Sequence, residues 1–273
     1  MGKIVFHSQD LDGHSSGAII LRKFPDYKLV PFDYKDKFPW DKFKSGEHVV
    51  MADVSLPIDQ MIELDKKCFL TWIDHHKSII DDAKKNGFDP EGIRDVDYSA
   101  CELCWKYFFP DKKMPKSIHL LGRYDIWKWQ NVQDCQEFQY GMQSYDINPN
   151  DKTWDSLFED DHECDKIIQE GKAILRYKVH MDSLACKSYA FDLEFEGLRC
   201  IAMNSSLRGS GQFTDKWKSG KYDAMIKFTM LADQRWEVSM YSERKVDVSK
   251  ICKKYGGGGH PGAAGFIIDK LPF

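Results

Sequence analysis

Short apolar runs separated by amphipathic stretches open the chain. Lys3-Ile4-Val5-Phe6-His7 reads as a first strand, His14 to Phe24 as a helix entered through small polar residues, and Tyr27 to Phe32 as a second strand. His48 to Ala52 is a third strand, ending at Asp53. Pro57 to Lys67 follows as a helix with proline at its start, and the β-branched and aromatic run Cys68 to Ile73 as a buried fourth strand. Strand alternating with helix predicts a largely parallel sheet. Residues 99–129 read as helical, 146–152 as a loop, and Cys164 to about Lys187 as one long helix with apolar positions at Ile167, Ile168, Ile174, Leu175, Val179 and Leu184. At 1.5 Å per residue that helix spans roughly 36 Å, enough to carry the chain between domains. Strand-like runs return at Ala190–Phe195, Arg199–Met203, Ala224–Leu231 and Trp236–Tyr241, before a short helix at Val248–Lys254 and the run Gly256-Gly257-Gly258-Gly259-His260-Pro261-Gly262. The pattern predicts an α/β protein: an N-terminal, mostly parallel sheet flanked by helices (residues 1–162), a connecting helix (163–188) and a smaller C-terminal α/β domain (189–273).

Composition narrows the class. At 273 residues two domains are expected. A net charge of −4 argues against a general affinity for long duplex nucleic acid, but not against a small phosphorylated ligand. No run approaches the ~18 apolar residues of a membrane span, and the start lacks a signal-peptide pattern. The eight scattered cysteines read as buried thiols of a reducing cytoplasm. Cys101-Glu102-Leu103-Cys104 is a C-x-x-C with no second pair, and reads as two small residues on one helix face.

The predicted strand ends carry the chemistry. His7, Asp10 and Asp12 follow the first strand, Asp53 the third and Asp74-His75-His76 the fourth, while Asp125 sits in the helical region. Open α/β sheets place their sites at the carboxyl ends of strands, and Asp and His suit a divalent metal. Each aspartate alone reads as a helix cap or a solvated loop residue. Together they are a different matter: two carboxylates about 4 Å apart repel by roughly 4 kcal/mol at an effective dielectric near 20. Two divalent ions, bridged by a shared carboxylate, resolve that repulsion for the converged set. Two other motifs match by letter only. Gly13-His14-Ser15-Ser16-Gly17 fits the nucleophile elbow of serine hydrolases but has too little chain before it. Gly257-Gly258-Gly259-His260-Pro261-Gly262 fits a dinucleotide fingerprint but follows a helix and contains proline.

In order and spacing, His7/Asp10/Asp12-Gly13, Asp53, Asp74-His75-His76, Asp125 and Gly257-Gly258-Gly259-His260-Pro261-Gly262-Ala263-Ala264-Gly265 resemble the DHH phosphoesterase family with its associated C-terminal domain. The resemblance implies a Mn²⁺-dependent phosphodiesterase with two Mn²⁺ (Mg²⁺ or Co²⁺ as substitutes) and an active site in the cleft between the domains. It assigns His7, Asp10 and Asp53 to one metal and Asp12, Asp53, His75 and Asp125 to the other, with Asp53 shared. Asp74 would orient its neighbours, His76 would act at the scissile phosphate, and the nucleophile would be a hydroxide that the two metals activate. The Gly256–Gly259 amides, through Gly257, Gly258 and Gly259, and His260 would receive a substrate phosphate. The pattern departs from members that cut short RNAs: Tyr241-Ser242 stands where many carry Arg-Ser, so Arg244 or Arg208 is expected to clamp the terminal phosphate. Asp125 lies in Tyr-Asp-Ile-Trp rather than Asp-Thr-Gly-Arg.

The leading expectation is hydrolysis of short oligonucleotides (nanoRNA, linear dinucleotides of RNA or DNA) to mononucleotides. Cyclic dinucleotides or a nucleoside 3′,5′-bisphosphate are the alternative substrates, and a nucleotide-binding sensor without turnover is the reading from another class. A homodimer is expected by analogy.

Overall fold

The computed structural model describes residues 2–207, 209–214, 216–217, 220–243 and 246–273, with His260 as backbone only. Arg208 and Arg244, the two expected phosphate clamps, lie outside the described residues. The chain divides into two compact units, residues 1–175 and 176–273.

The first unit is a four-stranded, wholly parallel sheet. Its strands are β1 (Lys3–His7), β2 (Lys28–Phe32), β3 (His48–Ala52) and β4 (Phe69–Ile73), in the order β2-β1-β3-β4. The period-2 alternation divides each strand between two cores. Ile4, Phe6, Val50, Ala52 and Ile73 point to a cluster shared with α1 (Leu11–Lys23), α4 (Ala100–Phe108), α5 (Lys116–Asp125), α6 (Cys135–Met142), α7 (Thr153–Glu159) and the first part of α8 (Asp161–Tyr189). Val5, Val49, Met51, Leu70 and Trp72 point the other way, to α2 (Ile58–Lys67) and α3 (Lys77–Lys85). Both faces of the sheet are covered, which is why β3 reads as a continuous apolar run. Sheet order reverses between β1 and β3, the topological switch point where such folds open a crevice at the strands' carboxyl ends.

The second unit is a six-stranded mixed sheet of β5 (Phe191–Phe195), β6 (Leu198–Asn204), β7 (Ala224–Met230), β8 (Trp236–Tyr241), β9 (Gly258–His260) and β10 (Ala263–Ile268), in the order β5-β6-β7-β8-β10-β9. Only β6 and β7 run parallel; the other pairs are antiparallel. Helix α9 (Val248–Lys254) packs through Val248, Ile251 and Cys252 against Cys200, Ile226, Val238 and Phe266.

The expected fold class is the observed one: a parallel N-terminal sheet between helices, then a C-terminal sheet domain. The long helix is a continuous 29 residues. The sequence pattern missed β9, which is Gly-Gly-His, and β10, which opens on Ala263-Ala264-Gly265 and leaves only Phe266-Ile267-Ile268 as an apolar run. All eight cysteines are buried, Cys101 and Cys104 among them. Among the described residues no helix is long and apolar enough to cross a membrane.

Candidate metal centre

The ends of three strands and one helix end bring six donors together. His7 is the last residue of β1, and Asp10 caps α1 by accepting the Gly13 amide at 2.9 Å. Glycine is required at 13, since a Cβ there would lie 2.1 Å from the His7 carbonyl oxygen. Asp12, in the first turn of α1, is buried, and its two oxygens accept the amides of Ala100 and Cys101 at 2.9 and 2.8 Å. The N-terminus of α4 therefore holds this carboxylate from 88 residues away in sequence. Asp53 directly follows β3 with φ +60, a left-handed conformation that costs a non-glycine residue on the order of 1 kcal/mol. Asp125 ends α5.

Distances divide the cluster in two. His7 Nδ1 lies 2.8 Å from Asp10 Oδ2 and 3.7 Å from Asp53 Oδ2. His75 Nε2 lies 3.2 Å from Asp53 Oδ1, 3.4 Å from Asp125 Oδ2 and 3.7 Å from Asp12 Oδ2. The two oxygens of Asp53 thus face two different imidazoles, the geometry of a carboxylate shared by two ions. Donor atoms of His7, Asp10 and Asp53 lie within 4.8 Å of one another, as do those of Asp12, His75 and Asp125. A third such group is Asp53, His75 and His76, which brings His76 to the edge of the same cluster.

Electrostatics fit a cation. Burial first, then the carboxylates of Asp12 and Asp10, push the Asp53 carboxyl well above the usual carboxylate range. Burial, Asp12 and Asp53 do the same to Asp125. Both shifts disfavour ionisation of these acids, and positive charge from divalent ions would favour it. His7 behaves in the opposite sense: burial opposes its charge, but the hydrogen bonds and charges of Asp10 and Asp53 raise it from 6.5 to about 10. An ion ligated by His7 must displace that proton, so affinity rises with pH. Because His7 is raised in the folded state, its ion pairs stabilise the metal-free protein fully below pH 6.5 and fade as pH climbs towards about 10. The gain in Tm on adding Mn²⁺ should therefore be larger at about pH 8 than at about pH 6. Thermal unfolding with Mn²⁺ and with EDTA at both values checks this; an equal or smaller gain at the higher pH would contradict it.

Asp74 lies beneath the cluster rather than in it. It is fully buried, and its Oδ1 accepts the amides of His75 (2.7 Å) and His76 (3.0 Å) and pairs with His76 Nδ1 at 2.7 Å. Trp72 Nε1 donates to its Oδ2 at 3.1 Å. Burial alone would raise Asp74, but its hydrogen bond with His76 and the neighbouring imidazoles outweigh it and hold the carboxyl below the usual range. In return His76 is raised above 6.5: burial opposes its charge, and Asp74 overcomes that.

The glycine run departs from expectation. The Gly256 and Gly257 amides close α9, bonding Lys253 and Cys252 carbonyls at 3.2 and 2.9 Å, so Gly257 has no free amide to offer an anion. Gly256 takes φ +79, and a Cβ on Gly257 would lie 2.0 Å from the Gly265 carbonyl oxygen. Gly259 has φ +137 and packs on Ala264. These three glycines serve the fold. A Cβ on Gly258 would meet nothing within 4 Å, so packing does not explain glycine there.

Two exposed aromatics lie close to the donors, Tyr34 in space and Trp127 in sequence, and neither was legible as a site residue. The exposed Tyr34 ring sits 5.7 Å from that of His7 and 6.5 Å from that of His76. Trp127, two residues after Asp125, is also exposed.

Residues 209–272 match the family model of the DHHA1 domain. An uncharacterized protein, R106, of Acanthamoeba polyphaga mimivirus is 26% identical over 240 residues, covering 85% of this chain and 55% of the relative. The chain thus spans about half the length of that curated relative. A solved DHH domain from a member of the s1p family of ribosomal proteins superposes with a TM-score of 0.60 at 14% identity, over 97% of this chain and 82% of its own. A pGpG-specific phosphodiesterase from Vibrio cholerae does so with a TM-score of 0.54 at 13% identity, over 98% and 93%.

Proposed function

We propose that this chain, a DHH phosphoesterase by its fold and its DHHA1 domain, is a divalent-metal phosphodiesterase that hydrolyses linear dinucleotides and similarly short oligonucleotides to mononucleotides. The observation that carries the reading is Asp53, whose oxygens face His7 on one side and His75 on the other. His7, Asp10 and Asp53 would hold one ion, and Asp53, Asp12, His75 and Asp125 the second. Imidazole in both sets favours Mn²⁺ over Mg²⁺, with Co²⁺ as a substitute. When bound, two such ions activate water near neutral pH and neutralise charge on the phosphate.

The protein's own groups do the rest. His76, whose pKa its pairing with Asp74 raises, would hold a proton for the leaving oxygen. Asp74 fixes its ring by engaging Nδ1 and leaves Nε2 to face the reaction. In the DHHA1 domain, Gly258 with His260 is the segment proposed to meet substrate phosphate, because the fold does not account for glycine at 258. The linear substrate is supported by the net charge of −4, and by the pGpG specificity of a protein with the same fold. The buried, scattered thiols fit a reducing, cytoplasmic setting.

Product analysis tests the reading. A 5′-phosphorylated RNA dinucleotide, a cyclic dinucleotide and a nucleoside 3′,5′-bisphosphate are each incubated with Mn²⁺ or EDTA. Mononucleotides released from the linear dinucleotide only with Mn²⁺ are the expected result. Turnover of the cyclic or bisphosphate compound alone would replace the substrate, and binding without turnover of any would favour a nucleotide sensor.

A further inference from the structure

Trp127 occupies a position the fold would give to glycine. The amides of Trp127 and Lys128 bond the carbonyls of Tyr124 (3.1 Å) and Arg123 (2.9 Å), the paired bonds that close a helix in a Schellman motif. In that motif the first residue beyond the cap adopts the left-handed conformation, and Trp127 does so with φ +61. Glycine is usual there because a Cβ is penalised, and a bulky side chain is penalised most. Tryptophan normally recovers such a cost by burying its large apolar surface. Trp127 does not: 63% of it is exposed. Neither local conformation nor packing accounts for the residue.

Its position does. Trp127 follows Asp125 by two residues, at most about 7 Å of extended chain, and Asp125 Oδ2 lies 3.4 Å from His75 Nε2 in the donor cluster. Tyr34, Phe69 and Trp127 are the exposed large aromatics among the described residues of this unit, and Phe69 starts β4, at the strand end opposite the donors. The two cap bonds therefore fix the Trp127 backbone two residues beyond a donor of the cluster, and leave its indole exposed.

We propose that Trp127 is a stacking platform for a nucleobase of the substrate, so that this site recognises the base as well as the phosphate. The inference rests on the nucleotide reading given above. Every nucleobase offers a π-face, so the platform favours nucleotides over other phosphate esters without selecting among bases.

Binding separates this from a structural role. Calorimetric titration of the Mn²⁺-loaded protein with AMP and with ribose 5-phosphate compares ligands that differ by the base alone. The wild type should bind AMP about tenfold or more tightly than ribose 5-phosphate. Trp127→Gly should lose that advantage while keeping its ribose 5-phosphate affinity, and its Tm should equal or exceed the wild type's because glycine suits φ +61. Trp127→Phe should retain most of the AMP affinity. Unchanged AMP binding in Trp127→Gly, or an equal loss for both ligands, would overturn the proposal with the phosphodiesterase reading intact. A wild type that binds both ligands equally would also overturn it, and one that binds neither would overturn the nucleotide reading too.

Discussion

Asp53→Asn should leave a folded protein that no longer turns over. Asp53 is buried among like charges that push its carboxyl well above the usual range, so a neutral amide of the same shape relieves that repulsion in the metal-free protein. Metal-free Tm is therefore expected to stay level or rise. With Mn²⁺ the variant departs from the wild type, because an amide cannot be shared between two ions as a carboxylate can. Losing several kcal/mol of metal-derived stabilisation lowers turnover about a thousandfold or more. Hydrolysis rates with Mn²⁺, set beside Tm with and without the metal, test both halves. Activity within about tenfold of wild type would remove Asp53 from the centre of the account.

Asp74→Asn should act through His76. Asp74 Oδ1 serves two amides and one imidazole nitrogen while Oδ2 serves Trp72 Nε1, so all its close partners are donors or take that role. The amide has one oxygen, so either orientation sets an NH₂ against N–H groups and leaves buried donors unpaired, at about 1–3 kcal/mol. The larger effect is on His76, which loses the carboxylate that orients its ring and holds its pKa above 6.5. Where an aspartate supporting a catalytic histidine becomes asparagine, kcat falls about 10⁴-fold, and a loss of about 10³–10⁴ is expected here with KM little changed. With His76 as the acid, activity declines above its pKa; lowering that pKa moves the alkaline limb of the pH–rate profile to lower pH. A profile that keeps its shape would show that His76 is not the proton donor.

How much of this was legible depends on where the information lies in the chain. His7, Asp53 and Asp74-His75-His76 could be read because each follows a short apolar run, and a parallel sheet collects the carboxyl ends of its strands. Asp12 could be read as a donor, but not as the acceptor for two amides of α4, a contact that depends on tertiary folding. The glycine run looked like one continuous anion nest; instead Gly256 and Gly257 close α9, a distinction set by backbone dihedrals that the letters do not carry. Strands β9 and β10 were invisible for the related reason that glycine and alanine satisfy strand and loop alike. Trp127 is marked out only by its positive φ and its exposure, neither of which the letters carry.

The central claim is that two ions bind at once and share Asp53, and anomalous scattering from Mn²⁺-soaked crystals tests it most directly. The account predicts two peaks about 3.5–4 Å apart, one beside His7 and Asp10 and one beside Asp12, His75 and Asp125, with Asp53 between them. A single peak, or a pair that leaves Asp53 uncontacted, would contradict it.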